Sequence, residues 1–168
     1  MKKLLLSFTV FLFALTAIHS QEIKAGISLG LPLGDAKETY SFGMNAESAY
    51  LFYVTDDLLI GPQLGVVTYF PKQNDDNMLG DDDSLALFFA LAASTRYHIS
   101  DFFVGADLGY AVGIGNEGGF LYRPKIGYEF VDIGFTLSYS GITTKTDTPL
   151  GSVSATLSSI SIGFETYF

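Results

Sequence analysis

Cysteine is absent from the 168 residues, which rules out a disulfide framework, a thiolate metal centre and a lipid-modified cysteine behind a leader. Histidine is nearly absent too. His98 is the only one after residue 20, so a histidine-built metal site is excluded, and no cofactor is expected. Charged residues make up 16% of the chain, against about 25% in ordinary globular proteins. Basic residues are the scarcer sign: without Lys2 and Lys3, seven remain against 18 acidic ones, a formal charge of −11. That balance repels phosphate backbones and excludes nucleic acid as a partner. Beyond residue 20 there is no apolar run near the roughly 20 residues that a spanning helix needs.

The first twenty residues have the layout of a secretory signal: MKK, then the apolar LLLSFTVFLFALTAI, then HS before Gln21. The expected domains are therefore a signal peptide over 1–20 and one mature domain over 21–168.

That domain is 48% hydrophobic in the whole-chain count, with its apolar residues in short alternating pieces. Period-two alternation predicts eight strands, at about 22–33, 41–54, 58–70, 85–98, 102–113, 119–130, 133–142 and 153–168. Links after the second, fourth and sixth are tight (Thr55-Asp56-Asp57, Ile99-Ser100-Asp101, Val131-Asp132) and the others are mostly longer. A tyrosine stands four residues before a turn aspartate three times, as Tyr53/Asp57, Tyr97/Asp101 and Tyr128/Asp132, with Gly61 and Gly105 following the first two. Short turns on one side and long loops on the other predict an all-β, eight-stranded antiparallel up-and-down transmembrane barrel.

Bulk decides which face is outside. Phe42, Met44, Tyr50 and Phe52, or Phe120, Tyr122, Ile126, Tyr128 and Phe130, share one parity, and an eight-stranded interior cannot hold so many rings. The opposite parity carries glycines together with Lys24, Arg96, Arg123 and Lys125 against Glu22, Glu47, Asp107, Glu129 and Glu165. Nearly balanced charge on small residues predicts an ion-paired lumen, with Asp107 meeting Lys125 and Lys24 lying near Glu165. Pro62 and Pro124 fall inside strands and predict bulges. The apolar parity of the last strand slips between Val153, Ala155, Leu157 and Ile160, Ile162, Phe164, which predicts a bulge near Ser158-Ser159 or an upper segment beyond the membrane.

Eight alternating strands, alternating turn lengths, a charged inner face and the terminal Tyr167-Phe168 resemble the small OmpA-like and OmpX-like outer-membrane barrels of Gram-negative bacteria. The resemblance implies a non-enzymatic, porin-like envelope protein serving structure, surface interaction or limited permeation. It also implies partners: outer-membrane lipid and lipopolysaccharide, an extracellular ligand through the loops, and the barrel-assembly machinery, which would recognise Tyr167 and Phe168.

Other chemistry is sparse. His98 and Ser100 have the His-x-Ser spacing of lipid A deacylases, but Val112 stands where an acid would follow. Asp75, Asp76, Asp81, Asp82 and Asp83 form an acidic loop that is a candidate Ca²⁺ or Mg²⁺ site, without the D-x-D-x-D-G spacing. A lipid-modifying barrel enzyme and a secreted soluble barrel binding a hydrophobic ligand are the alternative readings.

Overall fold

The computed structural model describes residues 21–72, 85–115, 117–148 and 151–168. The signal segment and the acidic-loop aspartates Asp75, Asp76, Asp81, Asp82 and Asp83 lie outside these residues. Eight strands follow in chain order: β1 (Gln21–Leu33), β2 (Tyr40–Tyr53), β3 (Leu58–Pro71), β4 (Ala86–Ile99), β5 (Phe102–Ile114), β6 (Gly119–Phe130), β7 (Ile133–Thr148) and β8 (Gly151–Tyr167). A single helical turn, α1 (Ala36–Thr39), lies between β1 and β2. Every strand is antiparallel to its sequence neighbours, and β1 closes onto β8, from Lys24↔Tyr167 to Leu33↔Ser158. No edge is left inside the barrel wall, as a sheet facing hydrocarbon requires.

The Tyr/Asp repeat has a structural basis. Each turn aspartate sits where a new strand begins, and its carbonyl accepts a bond from the end of another hairpin's strand: His98 N–H to Asp57 O (2.8 Å), Glu129 N–H to Asp101 O (2.7 Å) and Tyr167 N–H to Asp132 O (3.1 Å). The two tightest turns place Ser100 and Val131 at φ 58° and 57°, left-handed geometry that is costly for a β-branched residue such as Val131.

Both prolines sit in strands without a bulge. Pairing runs unbroken from Pro62 to Ala93 on β4 and from Pro124 to Ala106 on β5. It lapses only on the other side, between Ala49↔Gln63 and Phe52↔Ile60 and between Tyr122↔Gly141 and Lys125↔Ser138, with the register unchanged. The missing proline N–H thus opens one seam without bending the strand. Pro124→Val is expected to stabilise the barrel by about 0.5–1.5 kcal/mol through the restored ladder bond, read as a higher urea midpoint in micelles. An unchanged midpoint would mean that the seam is already satisfied.

Nor is there a bulge at Ser158-Ser159, where β8 keeps one register against both β1 and β7. The slip in apolar parity has another cause. The barrel interior changes character with height, so inward positions there are apolar: Ile142 is buried and Leu157 packs on the inner cluster.

Candidate functional site: the lumen

Side-chain parity sends large apolar groups outward. Ile27, Leu29, Leu31, Leu64, Phe135 and Ile162 are 57–71% exposed on the outer wall. Inward positions of the same strands are buried, and they form three layers.

The middle layer is ionic. Arg96 and Glu165 form a two-pronged pair, Nη1 to Oε2 at 2.6 Å and Nη2 to Oε1 at 2.8 Å. They stand on β4 and β8, opposite walls of the barrel. Arg123 on β6 donates to Glu47 on β2, again straight across. Asp107 accepts from Ser94 Oγ at 2.7 Å, and its other carboxylate oxygen forms an ion pair with Lys125 Nζ at 2.7 Å. Lys125 lies diagonally rather than directly opposite, because the register pairs Asp107 with Arg123. Lys125 also reaches Glu47 at 3.3 Å. Above these pairs Asn45 donates to Ser28 Oγ at 3.0 Å.

Lys24 does not pair with Glu165. It stands opposite Tyr167 in the ladder, and its Nζ lies 2.8 Å from Glu22 and 2.9 Å from Glu129. Strand adjacency misleads here because the lumen is narrow enough for a lysine or arginine to reach any wall, so height along the axis selects the partner. Arg96, at the right height and 1% exposed, takes both oxygens of Glu165.

The lower layer is a floor of two rings. Phe103 lies against Gly127, where an added Cβ would be 2.5 Å from its Cζ, so only glycine leaves room for the ring. The Arg96 guanidinium carbon is 4.4 Å from the centre of the Phe103 ring, and Lys24 Nζ is 4.1 Å from that of Tyr167, cation–π distances that hold rings and charges together. Tyr167 therefore points into the lumen, and Phe168, 77% exposed, points out. His98 also faces this mouth, with Nε2 3.1 Å from Glu129 Oε2. Ser100 sits in the adjoining turn, so the structure gives the His-x-Ser pair no nucleophile geometry at the outer wall.

The upper layer is an apolar plug of Val67, Tyr69, Phe88, Leu121 and Ile142, fully buried among alanines. Tyr69 OH is satisfied by Ser159 Oγ at 3.2 Å, which also bonds Ser140 at 2.8 Å. Expecting small, polar residues throughout the inner face missed this layer, although inward parity at Tyr69, Phe88 and Leu121 was available to reveal it. Between plug and floor, a cavity against Glu47, Arg123, Lys125 and Glu165 measures about 10 Å³, room for about one water. A larger depression of about 850 Å³ lies on the outer wall over Ala25, Ala46 and Ser48, among apolar side chains.

No protein-family model and no curated protein matches this sequence. Among solved structures, the chain is similar to Ail, the attachment invasion locus protein of Yersinia pestis, at 12% identity over 90% of this chain and 100% of that one, with a TM-score of 0.54. It is similar to Neisserial surface protein A at 13% identity over 88% and 97%, with a TM-score of 0.52. A de novo designed transmembrane β-barrel matches at 11% identity over 88% and 95%, with a TM-score of 0.53. The chain has the fold of the small eight-stranded antiparallel outer-membrane barrels.

Proposed function

We propose that this protein is an integral outer-membrane barrel without enzymatic activity, whose lumen is a rigid, closed core and whose work is done by the surface it presents outside the cell. A signal peptide over 1–20 would export it, and the barrel-assembly machinery would insert the mature domain, 21–168. The outer-membrane lipids, lipopolysaccharide among them, are its solvent.

One observation carries the membrane reading: a closed sheet with its large apolar residues outside and its charges inside. In water so much continuous apolar surface drives aggregation, and buried charges cost less in a barrel only because each finds a partner. A secreted soluble barrel would have the opposite arrangement. Against permeation stand the Phe88/Tyr69/Leu121 plug and the Phe103/Tyr167 floor, which set buried rings across the lumen above and below the ionic layer. Against lipid modification stands the engagement of His98 with Glu129 at the short-turn end.

The test is extraction of the membrane fraction followed by single-channel recording of the purified protein. The protein is expected to require detergent for release and to pass no measurable current. Recovery without detergent would remove the membrane reading, and steady unitary currents would remove the closed core.

A further inference from the structure

The apolar outer wall does not stop short of the tight turns. Val54, Ile99 and Val131 stand at the turns that join β2 to β3, β4 to β5 and β6 to β7, with Phe102, Phe130 and Phe168 on the same rim, and all six are more than half exposed. Val131 is the extreme case, 79% exposed at the tip of its turn. Its φ of 57° strains a β-branched residue where asparagine or glycine would sit at ease. Strain kept at an exposed tip points to a contact outside the chain.

One to three residues further on, the character changes: Asp56, Asp57, Asp101 and Asp132 are exposed. At about 3.3 Å per residue they lie within about 10 Å of the apolar band. No side-chain cation answers them. Of the seven basic residues after residue 20, Lys24, Arg96, Arg123 and Lys125 are buried in the lumen. Lys37 lies on α1 and Lys72 bonds to Thr39 beside it, at the opposite, long-loop end, and Lys145 pairs with Ser154 towards that end of β7. Removal of the signal before Gln21 would add one ammonium, which the carboxylate of Phe168 cancels. The short-turn rim is therefore an apolar band bordered by bare carboxylates.

We propose that this rim selects the lipid around it: the apolar band seats in the hydrocarbon edge of the periplasmic leaflet, and the aspartates hold the ammonium groups of phosphatidylethanolamine while excluding anionic phospholipid. The inference rests on the outer-membrane reading, which puts this end in that leaflet.

A phospholipid leaflet presents phosphates at the level of these carboxylates. Like charges repel there, by the same electrostatics that draw polybasic segments to anionic lipid. An ethanolamine ammonium reverses the local sign and, like that of lysine, brings three N–H donors for charge-assisted hydrogen bonds to carboxylates. Choline has the charge without a donor, and a glycerol headgroup leaves the phosphate charge unopposed. A second copy of the chain does not fit, because at the same height it presents the same aspartates and no exposed basic side chain.

The experiment reconstitutes the full mature barrel in phosphatidylcholine bilayers with traces of spin-labelled phosphatidylethanolamine, phosphatidylcholine or phosphatidylglycerol. The motionally restricted part of each spectrum gives that lipid's relative association with the protein. Phosphatidylethanolamine is expected to associate at least about threefold more strongly than phosphatidylglycerol, with phosphatidylcholine between them and the gap narrowing at high salt. Combining Asp56→Asn, Asp57→Asn, Asp101→Asn and Asp132→Asn, which keeps the turn chemistry, should bring the three lipids to equality. Equal association in the wild-type protein, or a preference that survives the four substitutions, overturns the proposal. A restricted fraction that grows as the protein is diluted in the bilayer overturns it in favour of a second copy at the rim. The chain has no tryptophan, so Phe130→Trp gives a single depth probe. Quenching of its fluorescence by brominated phosphatidylcholine, together with equal association, overturns the selectivity alone, whereas no quenching at any bromine depth overturns the outer-membrane reading with it.

Discussion

Replacing Arg96 with alanine is expected to destabilise the barrel by about 3 to 5 kcal/mol, the usual cost of removing one partner of a buried ion pair. Arg96 is 1% exposed and gives both forks of its guanidinium to Glu165, itself 3% exposed, while resting on the Phe103 ring. The substitution therefore leaves a buried carboxylate without its main cation and the floor without its cover. Urea unfolding in micelles, followed by the shift between folded and unfolded mobility on a gel, reads the effect. The double variant Arg96→Met with Glu165→Leu should recover most of the loss, because apolar residues of similar volume demand no desolvation. A loss below 1 kcal/mol for Arg96→Ala would mean that the lumen is wet enough to solvate Glu165. Failure of the double variant to recover would put the contribution of Arg96 in its packing on Phe103.

Deleting Phe168 is expected to reduce strongly the amount of barrel assembled in the outer membrane. The residue closes the β1–β8 seam with two reciprocal backbone bonds to Ile23, at 2.9 and 3.2 Å, and its ring stands outside the wall at the short-turn rim, where aromatic residues form an interfacial girdle. Tyr167, one position earlier, belongs to the lumen floor, so of these two rings that of Phe168 is the one exposed on the outer wall. Phe168→Tyr and Phe168→Trp should assemble normally, and Phe168→Asp should behave like the deletion. Pulse-labelled cells, scored for the heat-modifiable form, give both rate and yield. Wild-type rate and yield for the deletion would confine Phe168 to packing.

The architecture was legible because it depends on short-range pattern. Seven of the eight predicted strands have both ends within two residues of the observed ones, since alternation and turn residues are local features. β7 was cut short at 142 because the Thr-Thr-Lys-Thr-Asp-Thr stretch beyond it has no apolar alternation, and its pairing comes from β8 alone. Parity also identified the charged inner face. It did not say who pairs with whom, because partner choice among Lys24, Arg96, Glu129 and Glu165 depends on height and on crossing the lumen, quantities that register sets and sequence spacing does not. Pro62 and Pro124 were expected to bend the ladder, yet each directs its missing donor at one seam while the other neighbour keeps its pairing. The two apolar layers went unpredicted because a rule drawn from the majority of inward residues hides a minority clustered at one height.

The two arginine–glutamate pairs that span opposite walls have a consequence for how many strands the chain closes. A sheet of this kind has no intrinsic limit: hairpins of the same design, each beginning on a turn aspartate, would stack into ten or twelve strands as readily as eight, and diameter grows with strand number. Arg96 to Glu165 and Arg123 to Glu47 act as two crossed callipers, set four strands apart in each direction. In a wider ring, neither arginine would reach its glutamate, and both glutamates would lose the guanidinium that holds them across the lumen. In a ring of six, the same long side chains, with Phe88, Phe103 and Tyr69, would have no volume to occupy. Strand count is thereby enforced from the inside, by the reach of two side chains, in a chain whose hairpins carry no such information.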